Sequence, residues 1–136
     1  MDNFKLSIKM LEYEWADLEL AVDGQEKLFY FEKVPNDPLY DLLESAIKII
    51  GKVDSTITFH NGSQREYLTV KSAKNNLCHV ETEGINLMLP VKQLTKAVLR
   101  MFDSYVFAFS RDEYCNQWSA FPSNEIEKLR VLYHSL

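Results

Sequence analysis

Ser110–Pro122, SRDEYCNQWSAFP, places a cysteine, a tryptophan and two carboxylates within thirteen residues. Such a set could serve a nucleophilic thiol. A thiolate needs a neighbouring base or a positive field to form. Asp112 and Glu113 oppose it, and Arg111 is the only local offset. If Ser110 starts a helix, Tyr114, Cys115 and Trp118 are three and four apart and share a face. Cys115 is therefore expected to pack as a small apolar side chain rather than react.

Cys78 and His79 raise the same question. On a strand, successive side chains point to opposite faces, so these two cannot pair. His79 and Glu81 do share a face, and His60 on a neighbouring strand would complete a two-histidine, one-carboxylate metal set. That spacing matches no ligand motif, and the three read as solvated strand residues. Glu12/Glu14 and Asp17/Glu19 stand at strand spacing and suit cross-strand charge pairing. An acid–base couple would need one member buried. No phosphate-binding, dinucleotide, nucleophile-elbow or zinc-protease motif occurs among the 136 residues, which include only four glycines. The expectation is no catalytic residue, no cofactor and no metal.

The elements that would carry these residues are legible from periodicity. FKLSIKML alternates, with Phe4, Leu6, Ile8 and Met10 on one face. WADLELAV, DGQ and KLFYFEKV form a hairpin. Only one parity sorts its faces, with Leu18, Leu20, Val22, Phe29 and Phe31 inward and Trp15, Asp17, Glu19, Tyr30 and Glu32 outward. In NDPLYDLLESAIKIIGK, Asp37 caps a helix, Pro38 suits its first turn and Gly51 its stop. Leu39, Leu42, Leu43, Ala46 and Ile50 form its inner stripe.

A second hairpin turns at Asn61-Gly62. It gathers Ile57, Phe59, Leu68 and Val70 inward, opposite His60, Arg65, Tyr67, Thr69 and Lys71. NLCHVET adds a strand, and a short extended piece, INLML, follows. Pro90 then opens a helix striped by Val91, Leu94, Val98, Phe102 and Tyr105. Ser110 and Glu113 have capping-box spacing, and Ser123 caps a final helix.

The predicted order is βββα-ββ(β)-αα. This is an α+β fold with a mostly antiparallel sheet of five to six strands and helices packed on one face. One domain spans 1–136. The other sheet face stays open. It gathers Trp15, Asp17, Glu19, Tyr30, His60, Arg65, Tyr67, Lys71, His79 and Glu81, aromatics with arginine of the kind that binding hot spots favour.

Composition narrows the partners. The chain is 46% hydrophobic and 26% charged, with a net charge of −5. A net-acidic chain has no basic excess to displace phosphate counterions, so nucleic acid is not expected. No apolar run reaches membrane-spanning length. The N-terminal MDNFKLSIKMLEYEW does not read as a signal peptide, and the two cysteines have no disulfide or metal spacing. Both features suit a cytoplasmic location.

The runs EYEWADLELAVDGQ, VPNDPLYDLLESAIKIIGK and WSAFPSNEIEKLRVLY resemble a group of small, mostly uncharacterised bacterial proteins. In that group a Trp-Ala strand leads to a D-P/A-L-x-D-L-L helix, and an aromatic-Pro stretch precedes E-x-E-x-L-R. The resemblance covers most of the chain, through caps and core positions. It implies a bacterial, cytoplasmic, immunity-protein-like role, neutralising a toxin encoded nearby, and supplies no catalytic residues. The expected partner is another protein such as a toxin, or a second copy through the open face. The alternative is a small-ligand binder or enzyme with its pocket between sheet and helices.

Overall fold

The computed structural model describes residues 3–136. Seven strands form one sheet in sequence order, every neighbouring pair antiparallel. They are β1 (Lys5–Glu12), β2 (Trp15–Val22), β3 (Gln25–Glu32), β4 (Ser55–Asn61), β5 (Gln64–Ser72), β6 (Leu77–Thr82) and β7 (Ile85–Pro90). The helices are α1 (Pro38–Ile50), between β3 and β4, then α2 (Val91–Ala108), α3 (Arg111–Gln117) and α4 (Ser123–His134). The α+β class is as the periodicity predicts. The sheet has seven strands rather than five to six, because INLML is a full strand, alternating buried and exposed along its length.

Turn chemistry explains the hairpins. Asp23 and Gly24 both have positive φ, at 46° and 84°, the type I′ pattern that matches strand twist. A Cβ added at Gly24 would meet nothing within 4 Å, so a side chain there would cost backbone strain alone. Gly24→Ala is therefore expected to lower stability by about 1–2 kcal/mol, read as an earlier urea midpoint at unchanged slope.

Tyr13 and Glu14 also have positive φ, at 50° and 67°, with no glycine to ease it. Their backbone is held from outside the hairpin. The Glu14 N–H donates to the Gln117 carbonyl (2.8 Å), the Tyr13 N–H to Gln117 Oε1 (3.0 Å), and the Lys33 N–H to the Glu14 carbonyl (3.1 Å). α3 thus fixes a turn that its own residues disfavour.

The first strand corrects a face assignment. Ile8 pairs with Leu18, but Met10 pairs with Asp17, so Lys9 is an inserted residue. One extra residue reverses the parity beyond it. Leu11 enters the core, and Met10 is only partly buried.

Asp37 caps α1 as expected, its Oδ1 accepting from the Leu39 and Tyr40 amides at 3.1 Å each. Leu39, Leu42, Leu43 and Ala46 are buried, with Ile49 the fully buried residue of the last turn and Ile50 only packed against the core. Gly51 ends the helix with φ −87°, and Lys52 takes the left-handed position. Ser110 caps α3, accepting from the Glu113 N–H at 3.0 Å. Ser123 lies inside α4 rather than before it, and Pro122 occupies the cap without a side-chain bond.

The predicted stripe of α2, Val91, Leu94, Val98, Phe102 and Tyr105, is buried. At about 1.5 Å per residue its 18 residues nearly match seven strands spaced about 4.8 Å apart. It touches both outermost strands, β7 and β1, while α1 packs on β4 and β5. The sheet is not evenly stitched beneath them. β3 and β4 share a single register pair, Glu32 with His60. The join is made largely by side chains. Phe59 lies against Phe29 (ring centroids 4.2 Å) and Phe31 (4.9 Å), and Lys27 pairs with Glu66.

Candidate functional site

The helices lie on the face that carries Leu18, Leu20, Phe29, Phe31, Ile57, Leu68 and Val80, all nearly inaccessible. Strand alternation therefore turns all ten candidate residues to the opposite face. Tyr30 (45% exposed), Tyr67 (50%), Arg65, Lys71 and Glu81 are exposed; Trp15, Asp17, Glu19, His60 and His79 are half-buried by their neighbours.

Register shows which of them meet. Trp15 pairs with Glu32, Glu32 with His60, and His60 with Arg65, making one row across β2 to β5. Tyr30 pairs with Asp17 and stacks on Trp15 with centroids 4.9 Å apart and planes at 19°. Lys71 pairs with His79, and Glu81 with Thr69. Tyr67 pairs with Thr58.

Further outward residues join the face beyond the ten candidates. Leu28 (56% exposed) opposes Glu19, Met88 (46%) opposes His79, and Glu26 opposes Ala21. The same alternation that places Tyr30 outward would have found Leu28 and Glu26, and the alternation of INLML would have found Met88.

The face is electrically uneven. The outward charges of β1–β3 are Glu12, Asp17, Glu19, Glu26 and Glu32, against Lys5 and Lys9; Lys9 reaches Glu19 at 3.5 Å. A hydrogen bond with Glu19, ahead of the repulsion between the two charges, raises the Glu26 pKa above the ordinary carboxylate value. On β5 the outward charges are Arg65 and Lys71. An acidic, aromatic half on β1–β3 therefore adjoins a half with more basic character.

The metal set suggested by His60, His79 and Glu81 is not assembled. β5 separates β4 from β6, and the row holding Glu81 meets β4 at Thr56, four residues from His60. Strand geometry puts His60 about 13 Å along and about 10 Å across from Glu81. His79 instead hydrogen-bonds Asn86. Among the described residues no cluster of three His, Cys, Asp or Glu side chains could hold a metal ion.

The cysteines divide. Cys78 is buried, and burial pushes its thiol up to about 11, so it is inert. Cys115 corrects the packing expectation, for it is exposed while Tyr114 and Trp118 are buried. The seven-residue α3 buries a narrow stripe, and residues four apart fill it. Arg111, the expected local cation, lies over the Phe121 ring at 5.1 Å.

A cleft of about 530 Å³ opens where β5 and the β6–β7 turn diverge, lined by Arg65, Tyr67, Thr69, Glu81 and Asn86 among others. Another, of about 510 Å³, lies at the end of the layers between the end of α1, the β5–β6 loop, the start of α2 and Leu136. No helix among the described residues is long and apolar enough to cross a membrane. Comparison with protein-family models, curated proteins and solved structures finds no match for this chain.

Proposed function

We propose that this protein is a non-catalytic interaction protein whose open sheet face docks another protein with a basic surface. One observation carries the reading. Trp15 and Tyr30 stack on a helix-free face beside Asp17 and Glu32, with Glu19 and Glu26 further along the same two strands. Tryptophan and tyrosine supply large contact area with few rotors, and aromatic faces attract the arginines and lysines that the carboxylates would pair. The acidity of the whole chain favours encounter with such a partner. The particular role proposed is toxin neutralisation in the bacterial cytoplasm, as for an immunity protein. The resemblance in the strand, helix and aromatic-Pro runs supports it, and two unpaired cysteines suit a reducing compartment.

The test is co-expression with the product of the adjacent gene, followed by titration of the two purified proteins. Protection from toxicity and a complex that weakens with added salt are expected. Trp15→Ala and Tyr30→Ala should each weaken the complex by about 30-fold, the scale of a hot spot, while leaving the circular dichroism spectrum unchanged. A harmless neighbour, or binding indifferent to both substitutions, would overturn the proposal.

A further inference from the structure

The two edges of the sheet are treated differently by the sequence. β1, at one edge, carries Lys5, Lys9 and Glu12 and a bulge at Lys9. Charges and bulges are the usual devices that stop an edge from pairing with another chain. β7, at the other edge, is Ile85-Asn86-Leu87-Met88-Leu89-Pro90, with no charge and no register shift against β6.

Main-chain alternation shows what that edge offers. The Glu83-Gly84 turn has two residues and closes on Thr82 and Ile85. In such a turn the closing pair exchanges main-chain hydrogen bonds, and every second pair does so after it. Thr82–Ile85, Val80–Leu87 and Cys78–Leu89 are thus the bonded pairs. The Val91 N–H donating to the Asn76 carbonyl at 3.0 Å continues the same series. It follows that the N–H and C=O groups of Asn86 and Met88 point away from β6, toward the open side.

We propose that β7 is a homodimer interface, pairing antiparallel with β7 of a second copy about a two-fold axis at Leu87. The sequence is symmetric for this purpose. Asn86 of one copy meets Met88 of the other and Met88 meets Asn86, so four outward main-chain bonds form and no charge faces a charge. Ile85 falls opposite Leu89, and Leu87 opposite its own copy. All three residues are at most 8% exposed on the helix side, so the apolar layers of the two copies become continuous and the parity of neither sheet changes. The axis stands perpendicular to the sheet, which puts both open faces on the same side.

Sedimentation equilibrium over a broad concentration range reads the result directly. The protein should run at twice its chain mass of 15.9 kDa. Met88→Pro removes an N–H that β6 does not use, and proline is tolerated at such edge positions. It should halve the mass without changing the circular dichroism spectrum. Met88→Lys keeps the N–H and adds an edge charge, and it should also halve the mass; it decides the matter if the proline variant does not fold. Trp15→Ala should leave the mass doubled, which separates this interface from the open face. A single-chain mass for the unaltered protein, a doubled mass in a folded Met88 variant, or loss of the dimer in Trp15→Ala would each overturn the proposal.

Discussion

Replacing Trp118 with alanine is expected to cost about 3–5 kcal/mol of folding stability, the range for truncating a large buried aromatic. Trp118 is 2% exposed. Its ring meets the Phe31 edge at 5.8 Å and 89°, and its indole N–H donates to Asp37 Oδ1 at 3.0 Å. Alanine would leave a cavity where the end of α3 packs against β3 and the start of α1. For a chain of this length the melting temperature should fall by about 10–20 °C. Trp118→Phe keeps most of the volume but loses the N–H and part of the bicyclic ring, so it should cost less, about 1–3 kcal/mol. Urea unfolding of the two variants separates filling from hydrogen bonding. Equal losses would show that the cavity contributes little.

Asp37→Ala is expected to cost about 2–4 kcal/mol, since it removes a helix cap and leaves the buried indole N–H without an acceptor. Asparagine keeps the acceptor and caps as well as aspartate, so Asp37→Asn should retain most of the stability. The two variants should also differ in their response to pH. Burial, partly offset by the hydrogen bonds from the Tyr40 amide and the Trp118 indole, raises the Asp37 pKa above its ordinary 3.8. The folded state then holds this proton to higher pH than the unfolded state does. Taken alone, the group makes the fold more stable below pH 3.8, and that advantage is lost as pH rises through the raised value. Asp37→Asn should abolish this component. Its stability relative to the unaltered protein should therefore rise across the same interval. A constant difference between the two from acid to neutral pH would show that the carboxylate is not disfavoured by its burial. A double-mutant cycle with Trp118→Phe should give a coupling on the order of 1 kcal/mol.

Much of this was written in local pattern. The parity of WADLELAV and KLFYFEKV sorts the open face because a one-residue slip would bury Glu19 and expose Leu20. Asp37-Pro38 announces α1 through cap chemistry that acts within one helical turn. The differences arise where a distant element overrules local preference. Lys9 is an ordinary strand residue in sequence, and nothing near it signals the bulge that sends Leu11 inward in place of Met10. Tyr13-Glu14 lacks the Asn-Gly chemistry of its turn because Gln117, more than a hundred residues away, holds the backbone. Cys115 has helical spacing to Trp118, but α3 buries only Tyr114 and its cap Trp118, and Cys115 lies off that stripe. On the open face, the membership of all ten candidates was legible from alternation. The row from Trp15 through Glu32 and His60 to Arg65 was not, because the β3–β4 register is set across α1 by packing rather than by a turn.

That same β3–β4 junction is where the molecule is expected to come apart first. Three strands before α1 and four after it each form a local antiparallel ladder, broken only by the Lys9 bulge, rich in contacts close in sequence and quick to assemble. One main-chain pair, the Phe59 wedge, the Lys27–Glu66 pair and a Gly62 N–H bond to the Glu32 carboxylate join them, so partial opening is expected to run along this line. α2 is the brace, since it alone rests on both margins of the sheet. The amide protons of the two ladders are therefore expected to exchange as separate cooperative units, with α2 the helix that spans both.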